Sequence, residues 1–411
     1  MNEENIQNDD VQDGPEVTPQ KPVTPPSGFD GLPSLPLEEY DIPEAEEEVV
    51  VNTTAGATDY AIIGAGQCGG RLAKAFYDSG YKKAVAVNAA EQDLAPLDLP
   101  ESHKLHMDMG ASGAGKDMTK GEAAATKYYQ QIFDLMRNTF GRCQHILVCA
   151  GAGGGTGGGS IPIIIKAAKK YIEFIQAGDP NKNVGVVLTL PTAGELASGS
   201  VRMNTKEVLG TIATLAMAKQ ISPFIIVDND KIGKLYRGLS PKAFWPTINN
   251  TVSGLFDIFN RLAKMSSEFT SFDPVDYRSI MECGGCCIMG LTRIKQLDNE
   301  TSVSQALATN IEKTLLAGGF DLGTAKFAGS IAVGGSNVMS KAGLQDMLNY
   351  GMDTVNNLVG SATLHRGVYE SPNPNDADVL KVYTLIGGLE PPKALMNSLG
   401  INATELWPGE G

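Results

Sequence analysis

The chain has 411 residues, 42% of them hydrophobic, which is enough to bury one large core or two ordinary ones, and two lobes fit the length better. Its formal charge of −14 is uneven: residues 1–50 hold fourteen Asp or Glu and a single lysine, Lys21, leaving about −1 on the other 361. No basic block follows a nucleic-acid backbone, no apolar run reaches the roughly eighteen residues of a membrane span, and six cysteines in so long a chain make no disulfide scaffold. Direct nucleic-acid binding and membrane insertion are therefore not expected, and a soluble, cytoplasmic protein is.

Taken in order, residues 1–55 read as an acidic, proline-punctuated tail that buries too little apolar surface to offset its ordering entropy. The run Gly31-Leu32-Pro33-Ser34-Leu35-Pro36-Leu37 is its one anchor-like piece. The tail is either a solubilising bristle or a docking peptide for an adaptor.

A short buried strand, Tyr60-Ala61-Ile62-Ile63, runs into Gly64-Ala65-Gly66-Gln67-Cys68-Gly69-Gly70-Arg71 and a helix over 72–79. A second strand over 84–87 ends at Asn88. Strand, glycine turn, helix, strand opens a doubly wound α/β sheet, whose ligands lie beyond the carboxyl ends of the strands. Gly64, Gly66 and Gly69 also satisfy dinucleotide spacing. A dinucleotide-dependent oxidoreductase, however, would place Asp or Glu where Asn88 stands and would leave a second glycine-rich loop without a task.

Residues 107–126 give another loop-then-helix unit, in which Gly110, Gly115 and Lys116 nearly spell a P-loop. Asp117 stands where a magnesium-binding Ser or Thr belongs, and no convincing strand precedes it. Gly113, Gly115 and Lys116 then read either as a further loop closing over phosphates or as ordinary surface. A helix is expected from about 120 to 139.

The most informative stretch is Cys149-Ala150-Gly151-Ala152-Gly153-Gly154-Gly155-Thr156-Gly157-Gly158-Gly159-Ser160, set between the buried strand Ile146-Leu147-Val148 and an apolar helical pattern with Pro162 in its first turn. Removing nearly every side chain exposes successive N–H groups at a helix N-terminus, a cradle for phosphate. The other reading is a flexible surface loop. Seven glycines, costing roughly 0.5–1 kcal/mol each in a regular element, favour the cradle.

A strand over 183–190 delivers Pro191-Thr192-Ala193-Gly194-Glu195 to the same edge, with Glu195 either a ribose ligand or an exposed loop carboxylate. Arg202 faces the nucleotide or merely a helix surface. The strand 224–227 ends in Asp228-Asn229-Asp230-Lys231, and a long helix is expected over 245–269. Asn229 and Asn250 read equally well as purine-edge ligands and as caps. Beyond that helix, Asp273 and Asp276 stand three apart on a turn restrained by Pro274, able to orient a water attacking a terminal phosphate. No comparable acid sits inside a glycine loop, so the surface that binds the nucleotide lacks its catalyst. Strands over 286–291, 330–335 and 379–387, with helices over 303–316 and 340–359, suggest a smaller sheet. The cysteines at 283, 286 and 287 have no second ligand pair, so no metal site is expected there.

Together these motifs resemble the tubulin/FtsZ family of cytoskeletal GTPases, as a divergent bacterial, plasmid or phage member. The resemblance rests on residues 64–70, 153–160 and 87–94 and on the order of Pro191 to Glu195, Asn229-Asp230, the long helix and Asp273-Pro274-Val275-Asp276. It implies an α/β fold: a Rossmann-like GTP-binding domain with a parallel sheet, a long central helix and a smaller α+β C-terminal domain. Its implied divisions are a tail at 1–55, the GTP-binding domain at 56–247, central helix and catalytic loop at 248–276, the C-terminal domain at 277–395 and a tail at 396–411.

The resemblance further implies GTP with Mg²⁺, held by Gly64, Gly66, Gln67, Cys68, Gly69, Asn88, Gly113, Gly115, Lys116, Gly153, Gly154, Gly155, Thr156, Gly157, Gly158, Glu195, Asn229 and Asn250. Asp273 and Asp276 would enter the next subunit's site in a head-to-tail filament that divides a cell or positions DNA or other cargo. The chain departs from the pattern at Gly157-Gly158-Gly159, at Ser271 in place of the loop Asn, and at Gly199 in place of Arg. A GTP-gated scaffold with little hydrolysis is the alternative.

Overall fold

The computed structural model describes residues 52–54, 56–110, 113–236, 238–312 and 316–402. The acidic stretch 1–50 and the end beyond 402 lie outside the described residues. The elements run β1 (Tyr60–Ala65), α1 (Gly66–Asp78), β2 (Ala84–Asn88), α2 (Glu91–Leu94), β3 (Lys104–His106), α3 (Met118–Lys127) and α4 (Tyr129–Phe140). Then come β4 (His145–Gly151), α5 (Gly155–Phe174), β5 (Val184–Leu190), α6 (Ala193–Leu196), α7 (Gly199–Met217), β6 (Phe224–Asp228), α8 (Asn229–Leu235) and α9 (Pro241–Leu262). The remainder is α10 (Pro274–Met281), β7 (Cys286–Ile294), α11 (Ser302–Glu312), β8 (Phe327–Gly334), α12 (Ser336–Met339), α13 (Leu344–Val359), β9 (Thr363–Glu370), β10 (Leu380–Leu389) and α14 (Lys393–Ser398).

All strands join one sheet in the order β3-β2-β1-β4-β5-β6-β7-β10-β8-β9. Strands β3 to β6 are parallel throughout, and β6 meets β7 at the single pair Phe224 and Cys286. Past that seam β7, β10 and β8 pair antiparallel, and β8 pairs parallel with β9. The expected smaller sheet is thus a continuation of the larger one.

The central strands are buried on both faces, which is why they read as continuous apolar runs. Their period of two divides the core. Ala61, Ile63 and Ala65 pack with Ile132, Met136, Ile161, Ile164 and Ile212 from α4, α5 and α7, while Tyr60 and Ile62 pack with Leu72, Phe76, Leu255, Phe256 and Phe259 from α1 and α9. Both faces continue past the seam, through Leu307 and Val355 on one and Ile331 and Tyr383 on the other.

Several boundaries differ from the sequence reading. Helix α1 begins at Gly66, inside the first glycine turn. The helix expected over 120–139 is two helices separated at Tyr128, whose φ of −98° and ψ of 15° leave the helical region. Helix α5 starts at Gly155, so Pro162 sits two turns in. Helix α9 starts at Pro241 behind Ser240, whose hydroxyl accepts from the Ala243 N–H, and it ends at Leu262. Strands β3 and β9 were not foreseen. Both are short of apolar residues, and β9 lies at the sheet's edge with its residues mostly half-buried or exposed.

Candidate functional site

At the carboxyl ends of β1, β2, β4, β5 and β6 lies a cavity of about 410 Å³. Its floor is the start of α5. Gly154 is the N-cap, and Gly153, Gly155, Thr156 and Gly157 line the cavity, so the unpaired N–H groups and positive end of a 20-residue helix face it. The first glycine turn abuts this one backbone to backbone. Gly66 has φ +69°, and a Cβ there would lie 2.9 Å from the Gly157 nitrogen.

Not every predicted glycine reaches the cavity. A Cβ on Gly64 would lie 2.1 Å from the Gly69 carbonyl oxygen, and one on Gly69 would lie 2.1 Å from that of Cys149. These two let α1 lie against β1 and β4. Gly158 faces Val208 and Met118 instead.

Gln67, Cys68 and Asn88 all line the cavity, each with a protein partner. Asp93 bridges two of them, accepting from Gln67 Nε2 at 2.8 Å and from Asn88 Nδ2 at 3.3 Å. Thr189 donates to the Ala150 carbonyl at 3.1 Å, so at 2.8 Å from Cys68 its hydroxyl accepts the thiol proton. Burial pushes the Cys68 thiol up, so the group stays a neutral wall and not a nucleophile.

The third loop arrives over the cradle. Gly113, Gly115 and Lys116 line the cavity, Lys116 in the left-handed region at φ +66°; Ala111 and Ser112 lie outside the described residues. Asn204 of α7, unforeseen in the sequence, ties the two loops by donating to the Lys116 carbonyl at 2.9 Å and to that of Gly153 at 3.3 Å. A buried amide four to five residues into an ordinary helical pattern carries no motif, which is why it escaped notice.

Glu195, Asn229, Trp245 and Asn249 also line the cavity. Glu195 closes a capping box, with Oε2 accepting from the Thr192 N–H at 2.8 Å and its hydroxyl at 2.9 Å. Asn229 is buried, and its Oδ1 has no hydrogen-bond partner among the described residues, an arrangement that awaits a donor. Asn249, not Asn250, lines the cavity, one turn after Trp245. Arg202 turns away and donates to the Ser398 carbonyl of α14 at 2.6 Å.

The candidate carboxylates lie outside the cavity lining. Asp273 is the N-cap of α10, its Oδ1 accepting from the Val275 N–H at 2.7 Å and the Asp276 N–H at 2.9 Å, and Asp276 Oδ2 accepts from the Asp273 N–H at 3.1 Å. Asp276 Oδ1 also meets His365 Nδ1 at 2.7 Å. Among the described residues, no group of three or more His, Cys, Asp or Glu could hold a metal ion. An Mg²⁺ would therefore have to rely chiefly on phosphate oxygens.

Fold and cavity together define a doubly wound α/β protein with a glycine-built anion cradle at the carboxyl edge of its sheet. Residues 60–237 match the family described as Tubulin/FtsZ family, GTPase domain. Its relatives include the Cell division protein FtsZ of Haloferax mediterranei, 26% identical over 63% of each chain. They also include the Tubulin-like protein TubZ of Bacillus cereus, 23% identical over 76% of this chain and 73% of that one. The chain spans slightly less than two thirds of the FtsZ relative's length. A GTPγS-form protofilament of Bacillus thuringiensis serovar israelensis TubZ shares the fold with a TM-score of 0.70, at 19% identity over 85% of this chain and 93% of that one.

Proposed function

We propose that the chain is a GTP-dependent, filament-forming GTPase whose hydrolysis is completed between subunits. The carrying observation is a division of labour. The two acids lining the cavity, Asp93 and Glu195, are committed to neighbouring protein groups, whereas Asp273 and Asp276 lie elsewhere on an exposed helix start. The cavity suits a nucleoside triphosphate: α5 offers its N-terminus to phosphate, Lys116 adds positive charge, Trp245 supplies an aromatic wall and Asn229 a vacant acceptor. Mg²⁺, when bound with the nucleotide, would neutralise phosphate charge.

In this reading the chain's own residues bind and orient GTP in one subunit, and Asp273 and Asp276 of the next orient the attacking water and take up its proton. A head-to-tail contact of this kind does not close on itself, so it gives filaments. The implied setting is cytoplasmic, with the acidic tail a candidate adaptor tether. Relatives named for cell division and tubulin-like relatives align alike, so such a filament would serve division or the positioning of DNA or other cargo. The second reading, a GTP-gated scaffold with little turnover, is favoured by Ser271 in the loop and by the capping roles of both carboxylates.

Phosphate release measured across protein concentrations, paired with sedimentation, separates the readings. Completion between subunits predicts turnover that rises steeply above a threshold concentration, together with polymer. Polymer without release selects the scaffold, and release proportional to protein with nothing sedimenting removes both.

A further inference from the structure

The loop leading into α10 is hung from the edge strand β9. Val368 donates its N–H to the Thr270 carbonyl at 2.8 Å. The Tyr369 hydroxyl accepts from the Phe272 N–H at 2.8 Å and donates to the Phe272 carbonyl at 3.2 Å. Ser267 Oγ donates to the Val368 carbonyl. These tethers fix where the loop runs. They leave open how the Asp276 carboxylate turns about its own bonds.

That orientation is set by two donors, one on each oxygen: the Asp273 N–H on Oδ2 and His365 Nδ1 on Oδ1. An ionised carboxylate only accepts, so the His365 proton sits on Nδ1. The ring lies parallel to Phe327, 13° between planes and 6.1 Å between centroids, and its Nε2 is buried without a partner among the described residues. A buried imidazole nitrogen left unsatisfied has a cost. A histidine retained there only for packing would be better replaced by an aromatic hydrocarbon. Its use is the single donor it presents to Asp276.

We propose that His365 is a positioning residue that locks the Asp276 carboxylate in the orientation from which it serves the neighbouring subunit's nucleotide. This rests on the inter-subunit reading above. The other tethers hold the loop without His365, so its loss should spare folding and assembly.

Two substitutions in the full-length chain separate donor from packing. His365→Asn keeps a nitrogen donor near the Nδ1 position and removes the stack; His365→Phe keeps the stack and removes the donor. Phosphate release per sedimented subunit is measured in GTP, and assembly is measured in a slowly hydrolysed GTP analogue. The expected result is wild-type assembly for both variants, release lowered about tenfold or more in His365→Phe, and release within about threefold of wild type in His365→Asn. Wild-type release from His365→Phe, or release from His365→Asn lowered as far as from His365→Phe, overturns the proposal while leaving the inter-subunit reading intact. A wild-type chain that releases no phosphate at any concentration overturns that reading and the proposal with it.

Discussion

Gly159 of α5 touches the backbone of Met118 in α3: a Cβ added to it would stand 2.0 Å from the Met118 carbonyl oxygen. The contact recurs along the same pair of helices, where a Cβ on Gly121 would meet the Gly155 carbonyl oxygen at 2.2 Å. Since α3 begins directly after Lys116 and Asp117, these glycines set how closely the third loop lies over the phosphate cradle. Gly159→Ala should therefore push α3 away, destabilising the protein by about 1–3 kcal/mol and weakening nucleotide binding, despite the roughly 0.5–1 kcal/mol that Ala gains over Gly in a helix. Gly158→Ala is the contrast. Its Cβ would meet only side-chain atoms of Val208 at 3.0 Å and Met118 at 3.3 Å, which can shift. Thermal melts and GTP titrations of the two variants should separate clearly, and equal behaviour would refute the role given to the backbone contact.

The two neighbouring asparagines of α9 make opposite predictions. Asn249 is 8% exposed and lines the cavity beside Trp245, whereas Asn250 is half-buried outside the lining and its carbonyl accepts from Ser253. Asn249→Ala should weaken GTP binding by about tenfold or more, the loss of one buried hydrogen-bonding group, and Asn250→Ala should change it by less than about twofold. Equilibrium titration with each variant decides. Loss confined to Asn250→Ala would restore the choice made from sequence.

That slip by one residue shows where sequence reading stops. The strand-loop-helix order around residues 146–165 was legible because parallel strands buried on both faces and side-chain-free loops have strong signatures. Which of two adjacent asparagines faces inward depends on the phase of the helix against the cavity, which a motif match does not carry; the start of α9 is signalled by Ser240 and Pro241 as N-cap and first residue. Asn204 and His365 were invisible for a different reason. Each acts across more than fifty residues of sequence, on Lys116 and Gly153 or on Asp276, and no local pattern encodes such a contact. The single sheet was hidden because its seam is one residue pair, Phe224 with Cys286.

The capping box at α10 changes how the proposed carboxylates should be tested. Asp273 accepts two backbone N–H groups, so Asp273→Ala removes a cap worth about 0.5–2 kcal/mol as well as a charge. Asp273→Asn keeps an accepting oxygen at the N-cap and removes only the charge. Phosphate release should collapse in both variants, whereas the melting temperature should fall only in Asp273→Ala. Full release from Asp273→Asn would remove Asp273 from the chemistry and leave it a structural cap.

A pH signature of folding comes from His145, at the start of β4. Its ring is buried, 5.1 Å from the Tyr60 ring, and its Nε2 has no partner among the described residues. Burial pushes its pKa down to about 3 from the ordinary 6.5, partly offset by a hydrogen bond at the Ser222 backbone. Below pH 6.5 the unfolded chain therefore takes up a proton that the folded chain refuses. Stability is full above that pH and is lost as pH falls toward 3, at up to about 1.4 kcal/mol per unit from this group. His103, whose pKa burial also lowers, acts in the same direction and is present in both proteins to be compared. His145→Phe should thus show a shallower loss of stability between pH 6.5 and 4.5 than the wild type, read from urea midpoints at constant ionic strength. Parallel slopes would mean that His145 gains a proton in the folded protein as readily as in the unfolded chain.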